Sequence, residues 1–200
     1  MIKNVIFDFG NVLLDWDPHF LYDKYFKDRS ECDYFLTHIM TRQWNDDGDI
    51  GTPMNEVAAK WAARYPEYAG AFYYYIEEFP RTVRSEVPGM YELICGLKAR
   101  GLHVWGLSNW SWETFSKVLP QYRIFSLLEG MVVSGQEHTL KPGPEIYRIL
   151  LDRYSLKAEE CVFTDDSQRN VDGAEAVGIK GILFRNAEQL AAELEPLLEN

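Results

Sequence analysis

Residues 5–15 read "VIFDFGNVLLD". The apolar run Val5-Ile6-Phe7 suits a strand buried on both faces, and it stops at a carboxylate, Asp8. The carboxyl ends of such strands are where open α/β sheets hold their ligands. Position 10, two residues beyond Asp8, could have carried a second acid and carries glycine instead.

The same pattern recurs along the chain. "LHVWGLSN" (102–109) is a strand ending in Ser108 and Asn109, "GMVVS" (130–134) a short strand, "CVFTDD" (161–166) a strand ending in Asp165 and Asp166, and "IKGILF" (179–184) a fifth. Helical stretches separate them. One runs from Pro88-Gly89 to about Arg100 and is stopped by Gly101, and one spans about 111–119. "KPGPEIYRILLDRY" (141–154) opens on prolines as helices do, "NVDGAEAVG" closes at Gly178, and "NAEQLAAELEPLLEN" (186–200) is the last. This alternation predicts an α/β fold, a Rossmann-like, doubly wound parallel sheet covered on both faces.

Residues 18–80 break the alternation: they hold no convincing strand but aromatic-rich helical segments at about 19–28, 31–44, 54–64 and 67–78. Phe72 to Ile76 has strand propensity, but its flanks favour a helix. The expected organisation is therefore a core domain from 1–15 and 83–200 with an inserted helical cap domain at 16–82.

Composition narrows the function. The net charge of −11 argues against non-specific nucleic-acid binding, which depends on cationic contacts to phosphates. No stretch approaches the roughly 18 apolar residues of a membrane span, and no signal peptide is visible, so a cytoplasmic setting is expected. Cys32, Cys95 and Cys161 are too few and too widely spaced for a disulfide framework or zinc site, and Cys95 and Cys161 read as buried thiols. His19, His38, His103 and His138 show no metal-ligand spacing.

In a parallel sheet all the carboxyl ends face one side. One crevice would then gather Asp8, Ser108, Asn109, Lys141, Asp165 and Asp166. Three crowded carboxylates repel one another, and a hard divalent cation such as Mg²⁺, with its preference for oxygen ligands, relieves that. Lys141 and the Ser108 hydroxyl suit the remaining oxygens of a phosphate, and a carboxylate between them can attack phosphorus to form an aspartyl-phosphate.

These four segments resemble the four motifs of the haloacid dehalogenase superfamily of aspartate-nucleophile hydrolases. The resemblance implies that Asp8 in "VIFDFGNVLLD" is the nucleophile and that Ser108, with Asn109, in "VWGLSNW" binds phosphate. It implies that Lys141 in "LKPGPEIY" stabilises charge and that Asp165 and Asp166 in "VFTDDSQRNVDGA" sit in the metal site with Asp8 and the Gly10 carbonyl. The insertion after the first motif resembles the helical cap of the C1 branch. "FDFGNVLLDWD" and "FTDDSQRNVDGA" look closest to the bacterial α-D-glucose-1-phosphate phosphatase subgroup, with the phosphatase domain of soluble epoxide hydrolase more distant. The implied activity is Mg²⁺-dependent hydrolysis of a small phosphate monoester. A metal-independent dehalogenase and a phospho-ligand-binding pseudoenzyme are the alternatives.

Most phosphatases of this superfamily carry an aspartate where this chain has Gly10; it protonates the leaving oxygen and then activates water. A good leaving group, such as an anomeric oxygen, needs that acid less. Asp15 and Asp17, on the hinge toward the cap, are candidate substitutes, or simply caps of the helix starting near Pro18. Trp16, Trp44, Trp110 and Trp112 are candidates for lining the substrate pocket, and the acidic segment "NDDGDIG" (45–51) reads as a solvated turn.

Overall fold

The computed structural model describes residues 1–198; Glu199 and Asn200, the end of the expected last helix, lie outside the described residues. Seven strands are assigned among them: β1 (Asn4–Phe7), β2 (Leu14–Trp16), β3 (Val83–Glu86), β4 (His103–Ser108), β5 (Gly130–Val133), β6 (Cys161–Asp165) and β7 (Lys180–Leu183). Five of these form one parallel sheet in the order β5-β4-β1-β6-β7, the expected α/β architecture. The chain leaves β1 for β4 and β5 on one side, then returns to β6 and β7 on the other. The sheet's switch point therefore lies at β1, and a crevice opens there at the carboxyl ends.

The sequence dictates this sheet through burial. All four residues of β1 and all five of β6 are buried, as central parallel strands require. Alternate residues serve opposite faces: Val5 and Phe7 join one apolar cluster, and Ile6 joins the other, with Leu107, Phe163, Ile146 and Tyr147. The ladder continues one residue past β1, where the Asp8 N–H donates to the Thr164 carbonyl at 3.0 Å. That bond fixes where the Asp8 side chain begins.

Helices α1 (His19–Tyr22), α2 (Arg29–Tyr34), α3 (Arg42–Asp49), α4 (Met54–Arg64) and α5 (Ala69–Glu78) lie between β2 and β3. Helices α6 (Met90–Ala99), α7 (Trp112–Val118), α8 (Ser134–Glu137), α9 (Pro144–Arg153), α10 (Gln168–Glu175) and α11 (Ala187–Leu198) follow β3 among the described residues. Two departures from expectation matter. The antiparallel pair β2–β3, with Leu14 opposite Glu86 and Asp15 opposite Ser85, forms the entry and exit of the helical segment. It is three to four residues long and joins segments about seventy residues apart, so no local periodicity announces it. In addition, "NDDG" and Asp49 are not a turn but the second half of α3. Trp44 and Gly48, one helical turn apart, are both buried and hold that helix down.

The expected helix at 19–28 is also shorter, because the Asp28 side chain accepts a hydrogen bond from the Ser30 N–H at 2.8 Å and starts a new helix. The segment around Phe72 is helical, and Phe72 and Tyr75 pack with Tyr22, Phe35 and Trp44 in an aromatic core. Of the three thiols, all free, Cys32 and Cys161 are buried, but Cys95 is exposed. It sits on α6 beside Ile94, which takes the inward position. Among the described residues, no helix is long and apolar enough to cross a membrane.

Candidate active site

The Lys141 ammonium lies buried beside the crevice, between Asp8 and Asp165. It donates to Asp165 Oδ2 at 2.6 Å and to the Leu107 carbonyl at 3.0 Å, and it pairs with Asp8 Oδ1 at 2.8 Å. Lysine and both acids are almost fully enclosed: 1% of Lys141, 8% of Asp8 and none of Asp165 is exposed. An isolated charge could not persist there, but each here has a partner. Burial alone would push the Lys141 pKa down, yet Asp165 and Asp8 outweigh it and hold the ammonium above the ordinary lysine value. Burial, then repulsion from Asp165, pushes Asp8 up to about 7 against the pull of Lys141.

Asp165 is held from every side. Its Oδ1 accepts from the Ser167 N–H at 2.8 Å, and the Asn170 amide donates to both carboxylate oxygens at 3.0 Å. Asp166 is the open neighbour: it is exposed, and Asn11 Nδ2 donates to its Oδ2 at 3.4 Å. Its pKa is raised, by partial burial and then by Asp165. Oxygens of Asp8, Asp165 and Asp166 lie within 4.8 Å of one another. Three carboxylates against one ammonium leave excess negative charge, and an all-oxygen donor set suits Mg²⁺ rather than a softer metal.

Asn109 is bound to the lysine rather than to empty space. Its Oδ1 accepts from the Lys141 N–H at 2.8 Å, and its Nδ2 donates to the Lys141 carbonyl at 3.0 Å. Ser108, from the end of β4, lines the cleft, and its hydroxyl makes no hydrogen bond among the described residues. The cleft has a volume of about 190 Å³. Asp8, Gly10, Ser108, Asn109 and Asp166 form its floor, and Trp16, Asn45, Asp49 and Trp110 also line it.

Over residues 2–178 the sequence matches the haloacid dehalogenase-like hydrolase family. The chain belongs to that family. Among curated proteins, the hydrolase is 27% identical to the sesquiterpene phosphatase astK of Aspergillus oryzae, over 98% of this chain and 96% of that one. It is 24% identical to a phosphorylated carbohydrates phosphatase of Thermotoga maritima, over 90% of this chain and 84% of the relative. A HAD family enzyme from Bacteroides thetaiotaomicron, solved as a mutant with magnesium and inorganic phosphate, shares the fold with a TM-score of 0.70 at 18% identity. That likeness covers 93% of this chain and 95% of the other.

The hydrolase thus brings together Asp8, Gly10, Ser108, Asn109, Lys141, Asp165 and Asp166. Asp15 and Asp17 do not line the cleft. Asp15 pairs with Arg84 at 2.6 Å across the β2–β3 ribbon, and Asp17 accepts from the His19 N–H at 2.8 Å, a capping contact at the start of α1. Of the four candidate tryptophans, Trp16 and Trp110 line the cleft; Trp44 is buried in the helical core against Phe72, and Trp112 is exposed.

Three residues escaped sequence reading. Asn170 follows Asp165 by five and lies in the first turn of α10, facing back to the strand end. Asn45 and Asp49 are one helical turn apart on α3, a spacing legible only once that segment is known to be helical. Spacing also hid the grouping of His19, Asp23 and Cys32, whose ligand atoms lie within 4.8 Å of one another. That group is internally satisfied: His19 and the Cys32 thiol bond Asp23, Arg29 pairs with its other oxygen, and burial and Asp23 push the thiol up to about 11.

Proposed function

We propose that this hydrolase is a Mg²⁺-dependent phosphatase acting on a small phosphate monoester, a sugar phosphate such as α-D-glucose 1-phosphate. The observation that carries the reading is the buried Asp8–Lys141–Asp165 array opening beside Asp166 and Ser108 into one cleft. In this reading Asp8 attacks phosphorus and becomes the aspartyl-phosphate, which water then hydrolyses. Ser108 donates its hydroxyl to a phosphate oxygen. Lys141 neutralises charge on the phosphoryl group, and Asn109 holds the lysine's backbone. Asp8, Asp166 and the Gly10 carbonyl would hold Mg²⁺, with Asp165 orienting them from behind. The metal, when bound, neutralises charge building on the phosphoryl oxygens.

Residues 16–82 act in this reading as a cap over the core of 1–15 and 83–200. The lining supports that substrate class. Asn45, Asp49 and Asn109 offer donors and acceptors beside Trp16 and Trp110. Polar groups beside an aromatic face suit a hydroxylated ring better than a prenyl chain. The Thermotoga relative, named for phosphorylated carbohydrates, supports the same class.

The deciding experiment is a panel of sugar, nucleoside, prenyl and aryl phosphates, with and without Mg²⁺, on wild type and Asp8→Asn. Turnover of sugar phosphates that needs both Mg²⁺ and Asp8 is expected. Halide release from 2-haloacids without metal would replace the reading with a dehalogenase. No turnover of any ester would replace it with a binding protein.

A further inference from the structure

The helical segment reaches the cleft at one acid. Asp49, the last residue of α3, lines the same cavity as Asp8, Gly10 and Ser108. Its Oδ1 accepts from the Ser111 N–H at 2.9 Å, and its Oδ2 makes no hydrogen bond among the described residues. Its main chain is clamped as well. The Ser134 hydroxyl donates to the Asp49 carbonyl at 2.6 Å while accepting from the Trp110 N–H at 2.9 Å. His138 Nδ1 bonds the Ile50 carbonyl at 3.0 Å. Gly51, at φ +96°, packs so closely that a Cβ there would stand 2.6 Å from His138 Nδ1 and 2.7 Å from the Gly135 carbonyl. The end of α3 is therefore seated on the loop after β4 and on α8, and the carboxyl group is held with one oxygen tied and the other free.

Elimination narrows the role. Among the described residues, the titratable groups lining the cleft are Asp8, Asp49 and Asp166. On the phosphatase reading, Asp8 is the nucleophile and Asp166 faces the cation. Asp15 and Asp17 are engaged elsewhere. We propose that Asp49 is the general acid–base catalyst that Gly10 cannot be, supplied by the helical segment rather than by the loop after β1. The assignment rests on the phosphatase reading.

The protons balance. As Asp8 attacks phosphorus and the P–O bond to the leaving group breaks, the Asp49 carboxyl gives its proton to the departing oxygen, releasing an alcohol and leaving a carboxylate. That carboxylate then takes a proton from the water that attacks the phosphorus of the aspartyl-phosphate. The P–O bond to Asp8 breaks, inorganic phosphate leaves, and both acids return to their starting states. Asp49 suits both halves. Burial, then the neighbouring Asp46 and Asp8 carboxylates, raise it to about 7 against the Ser111 N–H and Lys141, so the carboxyl keeps its proton to higher pH than an exposed aspartate does. Tyr75 also faces it, and burial, with Asp49 nearby, holds that phenol in its neutral form.

Asp49→Asn tests this with minimal disturbance, because the amide oxygen can still accept from the Ser111 N–H. The readout is kcat/KM, which reports the first phosphoryl transfer, across esters of graded leaving-group pKa, with melting curves as the folding control. For primary alkyl phosphates kcat/KM should fall by about 10²–10⁴-fold, and for aryl phosphates by less than about tenfold, so the dependence steepens. Asp49→Glu should restore the shallow dependence. A wild-type measurement needs no variant: the ratio of alkyl to aryl kcat/KM should drop about tenfold per pH unit above the Asp49 pKa. Titrations of Asp8 and Asp166 cancel in that ratio, and correcting each rate to its dianionic ester removes the ionisation of the substrate phosphate. Equal losses on both ester classes would make Asp49 a binding or docking residue and overturn the proposal, as would a flat ratio against pH. A wild type inactive on every ester would overturn the phosphatase reading as well; an active wild type with an unaltered Asp49→Asn profile would overturn only this one.

Discussion

Asn109 spans Lys141 with two backbone hydrogen bonds, one to its N–H at 2.8 Å and one to its carbonyl at 3.0 Å. The residue at the end of one strand thereby sets the position of an ammonium contributed by a loop some thirty residues later. Asn109→Ala removes both bonds and should cost about 1–3 kcal/mol of stability. It should also lower kcat by tenfold or more, since misplacing a charge by about 1 Å can cost about 10²-fold. Asn109→Asp keeps the acceptor and loses the donor, so its effect should be intermediate. Urea unfolding and steady-state kinetics on both variants check the order.

Lys141 lies between two enclosed carboxylates, so removing it strands negative charge. Lys141→Met should destabilise the fold at pH 8 by about 3–5 kcal/mol. The loss should shrink at pH 5, where Asp8 takes up a proton more readily without its counter-ion. Equal losses at the two pH values, measured by denaturant unfolding, would mean that packing rather than charge dominates.

Metal binding should depend on pH with a defined sign. Without metal, Asp8 is raised to about 7, so the folded state holds a proton that the unfolded state has lost. Its contribution to stability is complete below the unfolded carboxylate pKa and disappears as pH rises through about 7. Mg²⁺ needs the ionised carboxylates and competes with that proton. The rise in Tm on adding Mg²⁺ should therefore be small at pH 5 and large at pH 8. Asp8→Asn should flatten this dependence, which differential scanning fluorimetry across pH would reveal.

A side chain at position 10 has room. A Cβ there meets nothing within 4 Å, and Gly10 is not among the glycines with positive φ. Gly10→Asp should thus fold, with Mg²⁺ present, to within about 0.5 kcal/mol of wild type. Combined with Asp49→Asn, it should recover part of the lost turnover of primary alkyl phosphates. Asp15→Asn should change kcat/KM by less than about threefold, because its pair with the exposed Arg84 is worth only about 0–1 kcal/mol. Asp17→Asn should behave alike, and a tenfold loss in either would move the acid back to the hinge.

The sequence by itself determined the sheet and the chemistry at its edge. Val5-Ile6-Phe7 and Cys161-Val162-Phe163 are strands because continuous short apolar runs between helical periods can be buried in little else. Since side chains at parallel strand ends share one side, Asp8, Ser108 and Asp165 could be placed together from their positions in the chain. Tertiary structure alone decided what meets those residues from elsewhere. The β2–β3 ribbon exists because two segments too short to signal a strand complete each other's hydrogen bonds. That pairing turns Asp15 toward Arg84 rather than the cleft. "NDDGD" reads as a solvated turn until Trp44 and Gly48 bury one face of it as a helix. Only then does Asp49 come to rest on Ser111 and Ser134, residues some sixty and eighty-five positions away. Local propensity carries no information about contacts of that range; packing of the helical layer against the sheet supplies it.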